Sequence, residues 1–131
     1  MPIEGFHHIN VRSADVEAAR AFYERVLGLR AGDRPPFEST GYWLYLGDRP
    51  LVDLVQRRQG EARPSGPGAL DHVAFGAVDL EGMRRHLNAS GVPFREAVVP
   101  RDGSVQIVIH DPDGLKIELN FATDQAPPPG V

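Results

Sequence analysis

The sequence predicts an α+β fold made of two β-α-β-β-β modules with mixed sheets. Three observations carry the prediction. Two strand-like segments of similar pattern, Phe6-His-His-Ile-Asn-Val11 and Leu70-Asp-His-Val-Ala-Phe75, place His8 and His72 64 positions apart. Each is followed by an Asp-led helix start, Ala14-Asp-Val-Glu17 and Val78-Asp-Leu-Glu81, again with 64 positions between Asp15 and Asp79. Each half then contains a strand with a carboxylate at its middle, Asp53 in the first and Glu118 in the second. Neither half is long enough to bury both faces of its sheet alone, so the two are expected to pack together.

The elements follow in order. Residues 6–12 alternate as a strand, with Ile9 and Val11 on one face and His8 and Asn10 on the other. Asp15 is the N-cap candidate. Val16, Ala19, Phe22, Tyr23 and Val26 recur at helical spacing, so 16–27 reads as an amphipathic helix that Gly28 ends. Regular structure should be short or absent from Arg30 to Ser39, which holds Gly32, Pro35 and Pro36. Gly41–Leu46 is an aromatic-rich strand, Gly47-Asp-Arg-Pro50 a turn, and Leu51–Gln56 the strand carrying Asp53. Module one therefore spans about 5–57, and a polar Gly/Pro-rich linker about 58–68.

Module two spans about 69–122. Met83, Leu87 and Gly91 repeat the helix and its stop, with a less apolar face. Val98-Val99 is a short strand and Val105–Ile109 a longer one. Asp111-Pro-Asp-Gly114 is strong turn chemistry, since Pro112 presets φ and Gly114 accepts a positive one. In the last strand Leu115, Ile117 and Leu119 share one face, and Lys116, Glu118 and Asn120 the other. The tail at about 123–131, with three consecutive prolines, is expected to be disordered.

Composition excludes several classes. The 131 residues are 41% hydrophobic and 24% charged, ordinary for one soluble domain. A net charge of −4 gives no basic footprint for nucleic acid. No apolar run approaches the roughly 20 residues of a membrane span, and the N-terminal segment lacks the pattern of a signal peptide. With no cysteine, disulfides, thiolate nucleophiles and Cys-ligated zinc are ruled out. The cytoplasm is the default location.

The repeat bears on chemistry. A carboxylate amid an apolar strand needs no explanation if its face is solvated. If that face lines a cavity, the charge must be paired or bound to metal. His8, Asp53, His72 and Glu118 are read as mid-strand on the faces opposite the helices. Two imidazoles and a carboxylate with open positions suit a catalytic divalent metal. Asn10, Tyr42, Trp43, Tyr45, Gln106 and His110 are candidate pocket residues. His7 falls on the wrong face for a ligand, and His86 on a helix.

Over about residues 5–121 the chain resembles the vicinal-oxygen-chelate superfamily, which includes glyoxalase I, bleomycin-resistance proteins and extradiol dioxygenases. The resemblance rests on His7-His-Ile-Asn-Val11, Ala21-Phe-Tyr-Glu-Arg-Val-Leu-Gly-Leu29, Leu70-Asp-His-Val-Ala-Phe75 and Asp111-Pro-Asp-Gly-Leu-Lys-Ile-Glu118. It implies cupped sheets, a homodimer and a small-molecule substrate. It also implies one divalent metal per site (Fe, Mn, Ni, Co or Zn) held by His8, His72 and Glu118. Asp53 matches an optional fourth ligand, one methylene shorter than the Glu of glyoxalase I.

The activity the resemblance implies is a glyoxalase-like lyase or isomerase, with Glu118 as ligand and catalytic base by turns and Asp53 as the spare base. Two other readings stay open: a non-haem Fe(II) extradiol-type dioxygenase, and a metal-free small-molecule binding or resistance protein. Features expected of fosfomycin transferases and methylmalonyl-CoA epimerases are missing: Val105-Gln-Ile-Val-Ile109 has no tyrosine, and no His-Pro-Lys-Ser-type turn occurs.

Overall fold

Alternation fixes the first sheet. Along β1 (Ile9–Ser13) Val11 and Ser13 are buried, while Asn10 and Arg12 are exposed. Period-two side chains require this when one face is covered. The cover is α1 (Val16–Leu27), which packs on all four strands of this unit and buries Val16, Ala19, Phe22, Tyr23 and Val26. Asp15 caps it by accepting from Ala18 N, and Gly28 ends it at φ 75°, a conformation that costs glycine little. Next come β2 (Arg30–Gly32), β3 (Gly41–Leu46) and β4 (Arg49–Gln56).

The second unit repeats the plan with β5 (His72–Ala77), α2 (Leu80–Ala89), β6 (Arg95–Val98), β7 (Val105–His110) and β8 (Lys116–Phe121). Strand orders match: β1-β4-β3-β2 in one sheet and β5-β8-β7-β6 in the other. In each, the first pair is parallel and the other two antiparallel. The architecture is thus α+β, two mixed four-stranded sheets each with one helix. This computed structural model describes residues 6–58, 60, 72–100 and 103–122. The chain divides into two units, Met1–Arg63 and Pro64–Val131. Most of the expected linker, and the expected tail, lie outside the described residues. No described helix is long and apolar enough to cross a membrane.

Several boundaries differ from the sequence reading, each for a tertiary reason. β1 starts at Ile9 because its ladder on β4 starts with Ile9↔Val52; His8 therefore precedes the strand, and His72 opens β5, so neither is mid-strand. β4 runs back through Pro50, which an inner strand would exclude. Pro50 lies beyond the end of β1, so β4 has only β3 beside it there, across a register shift at Leu44/Tyr45. β6 covers Arg95–Val98 rather than Val98-Val99, paired from Arg95↔Val108. Arg84 of α2 donates through Nε and Nη2 to the Glu96 carboxylate of β6, each at 2.8 Å.

Helix α2 is weakly apolar, with only Leu80 and Leu87 buried. It ends at Ala89, Ser90 remains right-handed, and Gly91 takes φ 68°. Its cap Asp79 sits at φ 64° and accepts from Gly82 N at 3.0 Å. Asp is among the few residues that tolerate this region. The Asp111 turn forms as its chemistry dictates. Asp111 is 5% exposed, and its Oδ1 accepts from Asp113 N and Leu115 N, both at 2.8 Å. That turn sets the β7–β8 register, which places Glu118 opposite Val108.

Candidate metal centre

Register brings a histidine and a carboxylate together once in each unit. In the first, Asp53 of β4 pairs with Asn10 of β1, two residues after His8. His8 Nε2 lies 3.4 Å from Asp53 Oδ2. In the second, Glu118 of β8 pairs with Ala74 of β5, two residues after His72. His72 Nε2 lies 3.4 Å from Glu118 Oε2. The side chains are alike in setting: the histidines are 39% and 37% exposed, the carboxylates 17% and 12%. Each pair is thus an accessible imidazole over a mostly covered carboxylate.

The separation is informative. A charge-assisted N–H···O bond closes to about 2.7–2.9 Å, so neither pair is a tight hydrogen bond. Two donors bound about 2.1 Å from one tetrahedral ion stand about 3.4 Å apart. The donor types and their spacing therefore fit a divalent ion at either pair. Within each unit only two donors gather, and no group of three or more His, Asp or Glu occurs among the described residues. Asp53, though shorter than Glu118, reaches its histidine equally well.

Neighbours hold these donors. Gln106 Nε2 donates to Glu118 Oε1 at 3.2 Å, leaving Oε2 toward His72. Lys116 Nζ is 3.9 Å from Oε2. Asn120 shares this face, and its Oδ1 is buried without a hydrogen-bond partner. In the first unit, His7 Nδ1 and His8 Nδ1 share a hydrogen bond at 2.8 Å. The contact steadies the His8 ring, whose Nε2 faces Asp53. His7 thus has a role beside His8 that strand alternation could not reveal.

The candidate pocket residues separate. Trp43 pairs with Asp53 across β3–β4, and both line a cleft of about 680 Å³ with Asn10, Arg12, Arg34 and Phe37. Tyr42 does not belong there. It lies on the helix side, its hydroxyl bonded to Glu17 and its ring 4.7 Å from the Arg20 guanidinium. Tyr45 OH donates to Asp33 O at 2.6 Å, and Tyr45 is not among the cleft residues. His110 ends β7 exposed, opposite Lys116. Arg12, Arg34 and Phe37 were missed. Arg12 shares the parity of His8 and Asn10, a signal that was available; Arg34 and Phe37 sit in an irregular, proline-bearing stretch with no periodicity to read.

The profile of the Glyoxalase/Bleomycin resistance protein/Dioxygenase superfamily matches residues 5–119. The chain belongs to this superfamily. It is 32% identical over 126 residues to the lactoylglutathione lyase of Salmonella typhimurium, covering 89% of this chain and 92% of that one. It is also similar to the crystal structure of a glyoxalase family protein from Enterococcus faecalis, with TM-score 0.71, 30% identity and coverage of 92% and 99%. The lactoylglutathione lyase structure from Agrobacterium tumefaciens, at TM-score 0.70 and 20% identity with coverage of 96% and 99%, shares the fold.

Proposed function

We propose that the protein is a divalent-metal-dependent glyoxalase-like lyase or isomerase acting on a small substrate with neighbouring oxygens. The observation that carries this reading is the matched pair of imidazole–carboxylate contacts, 3.4 Å in both units. Likeness to a lactoylglutathione lyase over most of both chains supports the reaction class. His8, His72 and Glu118 are the ligands, and Asp53, by the equality of its reach, is the fourth donor. The pairs belong to different units, so a complete site needs one unit of each kind, from one chain or from two. A cytoplasmic homodimer is the working form.

A bound divalent ion supplies Lewis-acid stabilisation of oxyanionic charge developing on the substrate. The chain's own groups do the rest. Glu118 is the base that carries a proton between adjacent substrate carbons, a role that needs hydrogen-bond reach to the carbon acid. Glu118 serves as ligand and base by turns, and Gln106 steadies its carboxylate by donating to Oε1. His7 holds the His8 ring, and the low exposure of both carboxylates limits competing water.

Metal content tests the reading without reference to any substrate. Untagged protein purified without chelator is expected to carry one divalent ion per site, and His8→Ala and His72→Ala each to lose it while remaining folded. Wild-type protein that stays metal-free after exposure to Ni²⁺, Co²⁺, Mn²⁺, Fe²⁺ and Zn²⁺ contradicts it.

A further inference from the structure

The cleft over the first sheet has room for more than two neighbouring oxygens. At about 680 Å³ it falls within the roughly 300–1,000 Å³ of small-molecule sites. One row across the sheet sets two kinds of group side by side. Asn10, Asp53 and Trp43 are partners in turn across β1, β4 and β3, and all three line the cleft. Residues directly opposite each other in an antiparallel pair share a face, with Cβ atoms about 4.5–5.5 Å apart. The half-buried Trp43 indole therefore begins one strand away from the Asp53 carboxylate, which lies 3.4 Å from His8 Nε2.

A second ring extends this apolar surface. Phe37 also lines the cleft and is 54% exposed, and its ring centre lies 6.2 Å from that of Trp43, with 43° between the planes. Local contacts hold it there. Phe37 N donates to Pro35 O at 2.7 Å, across Pro36, whose ring already restricts the backbone. The Arg34 guanidinium carbon lies 5.1 Å from the centre of the Phe37 ring, within cation–π range. Arg34 is itself fixed, donating Nη1 to Ser39 O and Nη2 to Ser39 Oγ, both at 2.9 Å. A single exposed phenyl on a surface is ordinary. One braced in a cleft, beside an indole in its wall, is the form of an apolar subsite, and little freedom is lost when a ligand covers a ring already held.

Charge does not choose the ligand. Arg12 and Arg57 line the cleft but have partners of their own, and Arg34 braces the loop. Selection falls to the two rings. Spacing then sets how the ligand is connected. Oxygens at the His8–Asp53 pair and a ring against Trp43 are about one strand spacing apart, roughly 4.8 Å. A ring joined directly to an oxygen-bearing carbon spans that step. A methyl group in its place stops short of Trp43 and leaves Phe37 uncovered.

Resting on the glyoxalase-like reading of this site, we infer that its substrate class is compounds with an aryl group on the carbon that bears the first of the two neighbouring oxygens. The oxygens approach the His8–Asp53 pair. The aryl ring lies against Trp43 and Phe37, which select it over a methyl group.

The test compares benzohydroxamate with acetohydroxamate, which offer the same two neighbouring oxygens and differ only in phenyl against methyl. Each is titrated by calorimetry into the full chain, once with Zn²⁺ in excess and once in chelator. Emission of Trp43, the single tryptophan of the chain, reports the location. Benzohydroxamate is expected to bind roughly tenfold more tightly than acetohydroxamate in both states and to change Trp43 emission. Phe37→Ala should remove most of that preference and leave acetohydroxamate binding unchanged, which a general loss of structure would not do. Tyr42→Phe, on the helix side, should alter neither. Benzohydroxamate bound no more tightly than acetohydroxamate overturns the inference, as does a preference that survives Phe37→Ala and leaves Trp43 emission unmoved. Zn²⁺ that strengthens both hydroxamates equally, with no preference between them, sinks the inference and keeps the metal reading. A tenfold preference with no gain from Zn²⁺ keeps the inference and sinks the metal reading.

Discussion

The carboxylate of Asp53 lies 3.4 Å from His8 Nε2, the same separation that Glu118 keeps from His72. Chain length alone makes Asp the weaker candidate for a ligand. The register is the same in both units, each carboxylate lying opposite the residue two after its histidine, and Asp53 still attains the same separation.

Asp53→Asn should therefore weaken divalent metal binding. Outer-shell partners alone are worth about 10–100-fold in affinity, and loss of a direct carboxylate donor should cost at least the lower end of that range. Competition titration with a metal indicator measures it. Unchanged affinity would return Asp53 to the role of base or bystander.

Gln106 holds Oε1 of Glu118 at 3.2 Å. Gln106→Leu keeps the volume and removes the donor. Metal affinity should fall by about tenfold, with the thermal midpoint nearly unchanged because residue 106 is only half-buried. Gln106→Glu should be worse, since it sets a second carboxylate against Glu118. Variants indistinguishable from wild type in metal affinity would remove Gln106 from the site.

Glu96 is held below the usual carboxylate range, first by the hydrogen bond from Arg84 and then by its charge. The sign follows from the depressed value. The contribution is complete above the ordinary carboxylate pKa of about 4.3 and is lost as pH falls through the lower folded value. Urea midpoints of wild type and Glu96→Gln should differ most near pH 7, and the gap should close below about pH 4. The gap should be modest and shrink in salt, because the pair is near the surface. A gap constant from pH 7 to 3 would show that the ion pair is not its source.

The two imidazole–carboxylate pairs sit in separate units, and the superfamily resemblance implies a homodimer. Light scattering at micromolar concentration should report twice the chain mass. Monomer alone at that concentration would remove the two-chain form of the site and leave only pairing within one chain.

What was legible in the sequence was local chemistry and repetition. The cap at Asp15, the stop at Gly28 and the Asx turn at Asp111 form from groups within five residues of each other, so the sequence contains both partners. The 64-residue repeat matches His8 with His72, and after a small insertion or deletion it also matches Asp53 with Glu118. What was not legible depends on distant partners. The start of β1 is set by Val52, more than forty residues away. Tyr42 and Trp43 are adjacent aromatics on opposite faces, and alternation alone cannot say which one looks at Asp53. Pairing of Trp43 with Asp53 decides it, and the register shift at Leu44/Tyr45 lies beside that pairing. The contact of Arg34 with Phe37 brings a guanidinium nitrogen within 3.2 Å of where a Cβ on Gly41 of β3 would stand, which composition does not announce.

The central claim is that His8, His72 and Glu118 hold one ion. A crystal structure grown with divalent metal in excess, with the ion located by anomalous scattering, tests it most directly. The account predicts a single peak about 2.1 Å from both imidazoles and a carboxylate oxygen of Glu118, with Asp53 completing the set. An ion bound to one imidazole–carboxylate pair alone, or imidazoles of His8 and His72 that no single ion can reach together, would contradict it.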